Sequence, residues 1–475
     1  MAESVPGNTL RRSRRRRAVV VAGAGALALT LVGTTAGCSS GSSGSSGSGS
    51  GGTTTITVAG MPATTSPKTR QQFLDAVAAF EKANPKIKLK PTDTQWDPRT
   101  FAARLAGGSA ETVLTVPLTE PPGLIARKQI IDLSAEIKGL PHASDLDPRA
   151  LAPATAADGK VFGLPVTEYA LGLVYNRDLF TKAGLDPDKP PTTWDEVRTA
   201  AKKLSDTGVA GYSQMTVKNT GGWILTAMTY AYGGTMEKKV GDKYVPSLLD
   251  GPVESALKQL AAMRWQDDSM GNNQLRSRQD SERDFAAGKI GMMVSAVNSY
   301  DRYIAQYSGK PADFGMTALP QQNGGRSTLL GGLMAVVSAK ATPAQRAAAV
   351  KWIDYFYLKP AYDPAAAEEL AVAQAADKLP VGQPTLPFYA KAVSDPVDAA
   401  INKHANILAG NFAPYVTGVA KLDYQVEPPV AAQDLYGALD TVVQAVLTRK
   451  DADPHEELVK ATERLGPVFE KAQSQ

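Results

Sequence analysis

From residue 56 onward the chain alternates short apolar runs with longer amphipathic stretches. Residues 56–59 read as a strand, and Pro67 sits at the start of a helix whose Phe73, Val77 and Phe80 share one face. Asn84-Pro85 stops that helix, and residues 87–90 read as a second strand. A short helix over 101–105 and a third strand over 112–116 complete a β-α-β-α-β series, which predicts a parallel sheet with right-handed crossovers. Ligands in such sheets sit beyond the carboxyl ends of the strands. Here those ends carry Gln95-Trp96-Asp97 and Leu118-Thr119-Glu120.

A second region begins near Pro165. Residues 170–175 form an apolar strand pattern, and Thr193-Trp194-Asp195-Glu196 is a capping box that opens a helix. Helices are expected over 222–232 and 252–265 and from Ser281, with strands over 290–295, 314–319 and 333–338. The chain beyond Pro343 is mostly helical in pattern. No fixed-period repeat is present, which argues against solenoids and propellers. At 475 residues two domains are the default expectation.

The amino terminus reads as an address. Arg11, Arg12 and Arg14 to Arg17 precede an uncharged run over 18–32, which is shorter than the roughly 20 residues that span a bilayer and suits a signal-peptide core. Thr35-Ala36-Gly37-Cys38 resembles a bacterial lipobox, with Thr35 where Leu is usual, so Cys38 is expected to be lipidated and to anchor the protein to the membrane. Residues 1–37 are then a lipoprotein signal peptide. Residues 38–55, rich in Ser and Gly, form the lipidated cysteine and its flexible tether. The expected location is the extracellular face of the cell membrane.

Charge and motifs narrow the function. Without residues 1–37, 45 basic and 46 acidic side chains nearly cancel, so a nucleic-acid partner has no electrostatic footing. A single cysteine allows no internal disulfide. Gly-x-Ser-x-Gly and a Gly-Lys-Ser/Thr phosphate loop are absent, and His455-Glu456-Glu457-Leu458-Val459 lacks the second histidine of a zincin. Three scattered histidines offer few ligands to a transition metal, and no cofactor is called for.

Residues 161–196, VFGLPVTEYALGLVYNRDLFTKAGLDPDKPPTTWDE, closely resemble the signature of extracellular solute-binding lipoproteins of carbohydrate-type ABC importers. Segments 221–234, 285–296, 314–320 and 331–339 are similar to that family in the same order. The resemblance implies an α/β, two-lobe periplasmic-binding-protein-like (type II) fold with hinge strands between the lobes. Lobe 1 would be 56–167 with 317–358, and lobe 2 would be 168–316 with 359–475. The hinge crossings would be 165–170 and 315–318.

The implied protein is a catalytically inert monomer that captures a sugar or oligosaccharide and hands it to ABC permease subunits. A secreted glycoside hydrolase and a sensory protein reporting to a membrane kinase are the alternatives. Sugars call for flat aromatics beneath their rings and carboxylates or amides for their hydroxyls. Trp96 and Glu120, past the second and third strands, meet that description, as does Tyr169 at the first hinge, with Glu168 its rival. Trp223 starts a helix where the family's tryptophan faces the cleft. Asn298 and Tyr300 stand where relatives carry Gly-x-Trp, and Tyr436 stands where some place a further aromatic. Trp194, Trp265 and Trp352 fall within helical patterns and are expected to be structural.

Overall fold

The computed structural model describes residues 52–64 and 67–474; the expected signal segment, Cys38 and most of the tether lie outside the described residues. Among the described residues eleven strands occur in chain order: β1 Thr54–Val58, β2 Ile87–Pro91, β3 Val113–Pro117, β4 Gly163–Asn176, β5 Ala210–Tyr212, β6 Glu237–Val240, β7 Lys243–Pro246, β8 Ile290–Ala296, β9 Phe314–Ala318, β10 Ser327–Val337 and β11 Asp423–Val426. Nine of them join one sheet in the order β2-β1-β3-β10-β4-β8-β5, with β11 beside β10 and β9 beside β4; β6 and β7 form a separate hairpin.

The expected parallel unit is present: β1 pairs in parallel with both β2 and β3. The helix Pro67–Ala83 buries Phe73, Val77 and Phe80, and the two phenylalanines meet Trp352 at ring separations of 5.9 and 5.3 Å. The helix Trp194–Ser205 starts with the full capping box, Thr193 and Glu196 each bonding the other's backbone N–H.

Two long strands tie the molecule together. β4 pairs with β10 from Gly163 to Ala170 and with β8 and β9 from Leu171 onward. Fourteen residues at about 3.3 Å each give it a reach of roughly 45 Å, enough to run through both halves. Leu164 belongs to a core with Phe80 and Trp352, whereas Leu171 and Leu173 belong to another with Trp194, Tyr212 and Leu257. The register slips between Leu333 and Met334, beside Pro165, which has no N–H to give the ladder.

The second crossing differs from expectation. Residues 315–318 form β9 against the far half of β4, with Met316 in a second-lobe core, so they do not cross. The crossing strand is β10, whose Leu329 packs in the second lobe while Leu330 and Ala335 pack in the first. The lobe limits move as well. Tyr362, Phe388, Tyr389 and Val393 pack on the first-lobe core, and the helices Pro364–Ala376 and Lys391–Asn402 pack against each other there, so residue 359 is not where the chain returns. Phe412, Tyr415 and the helices Ala432–Thr448 and Pro454–Gln473 belong to the second lobe. The mostly helical pattern beyond Pro343 carries no information about which apolar surface receives each helix.

Candidate functional site

β11 follows the start of β10 in parallel, from Ser327↔Asp423 to Leu330↔Val426, and delivers Glu427 to the junction of the lobes. Tyr230 fixes this exit by donating its hydroxyl to the Val426 carbonyl at 3.0 Å. Glu427 is 9% exposed and accepts from the Tyr436 hydroxyl at 3.2 Å. Burial pushes its carboxyl up to about 7; hydrogen bonding from Tyr436 and Trp223 opposes the rise, and the charge of Glu120 adds to it.

Trp223 and Tyr436 reach Glu427 from two helices in close contact, Thr220–Ala231 and Ala432–Thr448. Gly222 permits this approach, since a Cβ there would lie 2.4 Å from the Tyr436 carbonyl oxygen. The start of the Trp223 helix lacks a side-chain cap from Asn219, which adopts a left-handed φ of 67°. Asp440, one turn beyond Tyr436, supplies it instead, accepting from Asn219 N at 2.7 Å and Gly222 N at 2.9 Å.

Tyr169 lies on β4 opposite Gly331 of β10. A Cβ at Gly331 would come 2.5 Å from the Tyr169 ring, so the glycine lets the ring lie across the crossing strand. Burial and the neighbouring Glu427 charge push the Tyr169 hydroxyl well above its ordinary pKa. Its neighbour Glu168 instead meets Arg149 at 2.6 Å with its side chain wholly buried. Arg149 also donates to the Pro387 carbonyl at 2.8 Å and lies 5.6 Å over the Tyr424 ring of β11. Glu168 thus fastens the hinge.

The first lobe contributes Glu120, the first residue of the helix Glu120–Ala126 after β3. Burial raises its carboxyl, against the pull of Trp96, Arg127 and Thr119. Trp96 packs on Phe101 at 4.8 Å, and its buried indole N–H, though near Glu120, makes no well-aligned hydrogen bond.

Five of the residues singled out from the sequence, Trp96, Glu120, Tyr169, Trp223 and Tyr436, are linked through Glu427 and Glu120. Glu427 itself escaped sequence reading: its only local sign is a carboxylate between the short, partly polar segment Asp423-Tyr424-Gln425-Val426 and Pro428-Pro429. Asn298 and Tyr300 fall elsewhere, on the turn and helix after β8. Asn298 is exposed and does not cap that helix. Tyr300 is 2% exposed and packs against Phe314 at 4.8 Å and Phe412 at 5.2 Å, as a core residue of the second lobe. Its spacing of three from Tyr303 puts both rings on the buried face of the helix.

Trp194 and Trp352 are wholly buried, and Trp265 bonds the Val446 carbonyl at 2.8 Å. A separate groove of about 900 Å³ runs past Pro190, Pro191, Pro414 and Leu422 and includes none of the Glu427 group. Among the described residues no cluster of three or more His, Cys, Asp or Glu side chains is placed to hold a metal ion, and no helix is long and apolar enough to cross a membrane.

Two α/β lobes joined by crossing strands, with aromatics and carboxylates at their junction, define a two-lobe solute-binding protein. The chain belongs to the bacterial extracellular solute-binding protein family, which matches residues 63–363. A putative binding protein of Brucella abortus is 29% identical over 252 residues, 49% of this chain and 56% of that protein. The chain thus spans little more than half the length of that curated relative. Solved structures share the fold, two of which illustrate it. UgpB from Mycobacterium tuberculosis, in complex with glycerophosphocholine, is 16% identical with a TM-score of 0.70 over 89% of this chain and 100% of that one. An ABC transporter solute-binding protein from Thermotoga lettingae, bound with α-D-tagatose, is 19% identical with a TM-score of 0.66 over 88% and 100%.

Proposed function

We propose that the protein is the substrate-binding subunit of an ABC importer, which captures a sugar or oligosaccharide between its lobes and delivers it to the membrane permease. The observation that carries this reading is the Glu427 group: Trp223, Tyr436 and Tyr169 on the second lobe and hinge, and Trp96 with Glu120 on the first. Flat rings suit apolar sugar faces, and carboxylates accept from hydroxyls. Contacts from both lobes to one ligand stabilise the closed arrangement, which is what a capture device requires. Two of the nearby cations are already engaged, Arg302 with Glu282 at 2.5 Å and Arg149 with Glu168, while Arg127 donates to the Gln129 amide at 3.1 Å. This favours an uncharged sugar over a phosphate ester. On this reading the protein performs no catalysis, acts as a monomer and is held to the outer face of the membrane by a lipid at Cys38.

Thermal unfolding of the purified protein against mono- and oligosaccharides, polyols and glycerophosphodiesters tests the proposal. A ligand at 100 times its dissociation constant adds about 2.7 kcal/mol of stability. A shift with a sugar series, weakened by Trp223→Ala and Trp96→Ala, is the expected result. A shift with phosphodiesters alone refutes the sugar reading, and turnover of a glycoside refutes the binding-only reading.

A further inference from the structure

The Glu427 group contains two carboxylates, one from each lobe, with no lysine or arginine hydrogen-bonded to either among the described residues. Glu427 sits amid groups that donate or repel rather than neutralise. Tyr436 donates at 3.2 Å from its helix, Trp223 lies within hydrogen-bonding reach from a second helix, and the Tyr169 hydroxyl approaches from β4. Tyr230 holds the preceding carbonyl, and Glu237, another buried acid, accepts from Val430 N at 3.3 Å on the far side. The positive groups that reach this neighbourhood act at one remove: Arg127 on Glu120, and Arg278 and Arg302 on Tyr169. A buried carboxylate and a half-buried one in such surroundings cannot both be ionised cheaply. A proton, or a ligand hydrogen, has to stand between them and the low-dielectric interior.

We propose that ligand capture is coupled to loss of a proton from Glu427, the ligand's hydroxyl or amino hydrogens taking that proton's place at the two carboxylates. The inference rests on the cleft reading above and specifies its chemistry. The departing proton goes to solvent, no bond in the ligand breaks, and the O–H or N–H donor that arrives satisfies the newly ionised oxygen. Glu427 is then the residue that sets selectivity: donors are admitted, and anions, which would add a third negative charge, are turned away. The position of its carboxyl near neutral pH makes the exchange accessible under ordinary conditions. Hydrogen bonding to the ionised form lowers a carboxyl pKa, so affinity rises with pH.

Two measurements test this, one of them without ligand. Tryptophan fluorescence of the free protein is followed from pH 5 to 9, since Trp223 adjoins Glu427. A transition centred near pH 7, absent from Glu427→Gln and moved to higher pH in Tyr436→Phe, is expected; the hydroxyl removed there favours the ionised form. No transition, or one that persists in Glu427→Gln with the fold intact by circular dichroism, overturns the proposal. In the second measurement the tightest sugar from the thermal panel is titrated calorimetrically in buffers of differing ionisation enthalpy. Release of up to about half a proton at pH 7 and an approximately tenfold gain in affinity between pH 5.5 and 8 are expected, with both lost in Glu427→Gln. Proton uptake, or a pH-independent affinity, overturns it. If no sugar binds, the proposed function fails instead, and the fluorescence result still decides the ionisation of Glu427.

Discussion

Asp440→Ala tests how the site is held. Asp440 is 7% exposed and accepts from Asn219 N at 2.7 Å and Gly222 N at 2.9 Å, closing the amino end of the Trp223 helix from a neighbouring helix. Hydrogen bonds to charged groups contribute about 1.5–3 kcal/mol each, and unpaired buried donors cost a similar amount. Burial nevertheless raises the Asp440 carboxyl despite these donors, so desolvation consumes part of the gain. The expected net loss for Ala is therefore about 2–4 kcal/mol rather than the full sum of two bonds. Asp440→Asn keeps the shape and one carbonyl acceptor but turns an NH2 toward the second donor, which points to a loss of about 1–2 kcal/mol. At about 2.1 cal/mol/K per residue over roughly 420 ordered residues, 3 kcal/mol lowers Tm by about 3 °C. Urea unfolding and calorimetry read the stability; ligand titration reads the site, which should weaken because Trp223 follows Gly222 directly. An alanine variant within about 0.5 kcal/mol of the parent, or an asparagine variant as damaged as alanine, would refute the reasoning.

Other predictions concern the hinge and the buried acids. Arg149→Ala strands the wholly buried Glu168 side chain and should cost about 3 kcal/mol at pH 7.5, with a smaller loss on acidification to pH 5, because burial pushes the Glu168 carboxyl upward and favours its neutral form. Equal losses of Tm at both pH values would count against it. Gly331→Ala drives a Cβ to within 2.5 Å of the Tyr169 ring, so about 1–3 kcal/mol of overpacking and weaker ligand binding are expected; unchanged Tm and affinity would show that the ring moves freely. Glu427 holds its proton up to about pH 7, above the unfolded carboxylate value, so folding loses stability as pH rises through that window and the loss is complete above it. Glu427→Gln should therefore gain up to about 3 kcal/mol on the parent at pH 8 and nothing at pH 4, as read by parallel melts.

Much of this protein is written locally. Alternation and 3.6-residue spacing placed β1 to β3 and the Phe73-Val77-Phe80 face, and Thr193-Trp194-Asp195-Glu196 marked a helix start whose reciprocal bonds both form. These features depend on neighbours a few residues away, so the chain carries them in plain order. The 161–196 block goes further, because one continuous segment supplies the long crossing strand β4 and the residue Tyr169. Decisions between distant segments were not legible. Tyr300 looked like a cleft aromatic until Phe314 and Phe412, from two other elements, closed around it. The second crossing fell to β10 rather than 315–318 because β10 has first-lobe partners on one end and second-lobe partners on the other. The same holds for the cap from Asp440 and for Glu427, whose character comes from Tyr436, Trp223 and Glu120 rather than from Val426 or Pro428. Sequence determined the elements and the family of the fold. Burial, which turns an ordinary glutamate into one that titrates near neutrality, exists only once the lobes and their crossing strands are assembled.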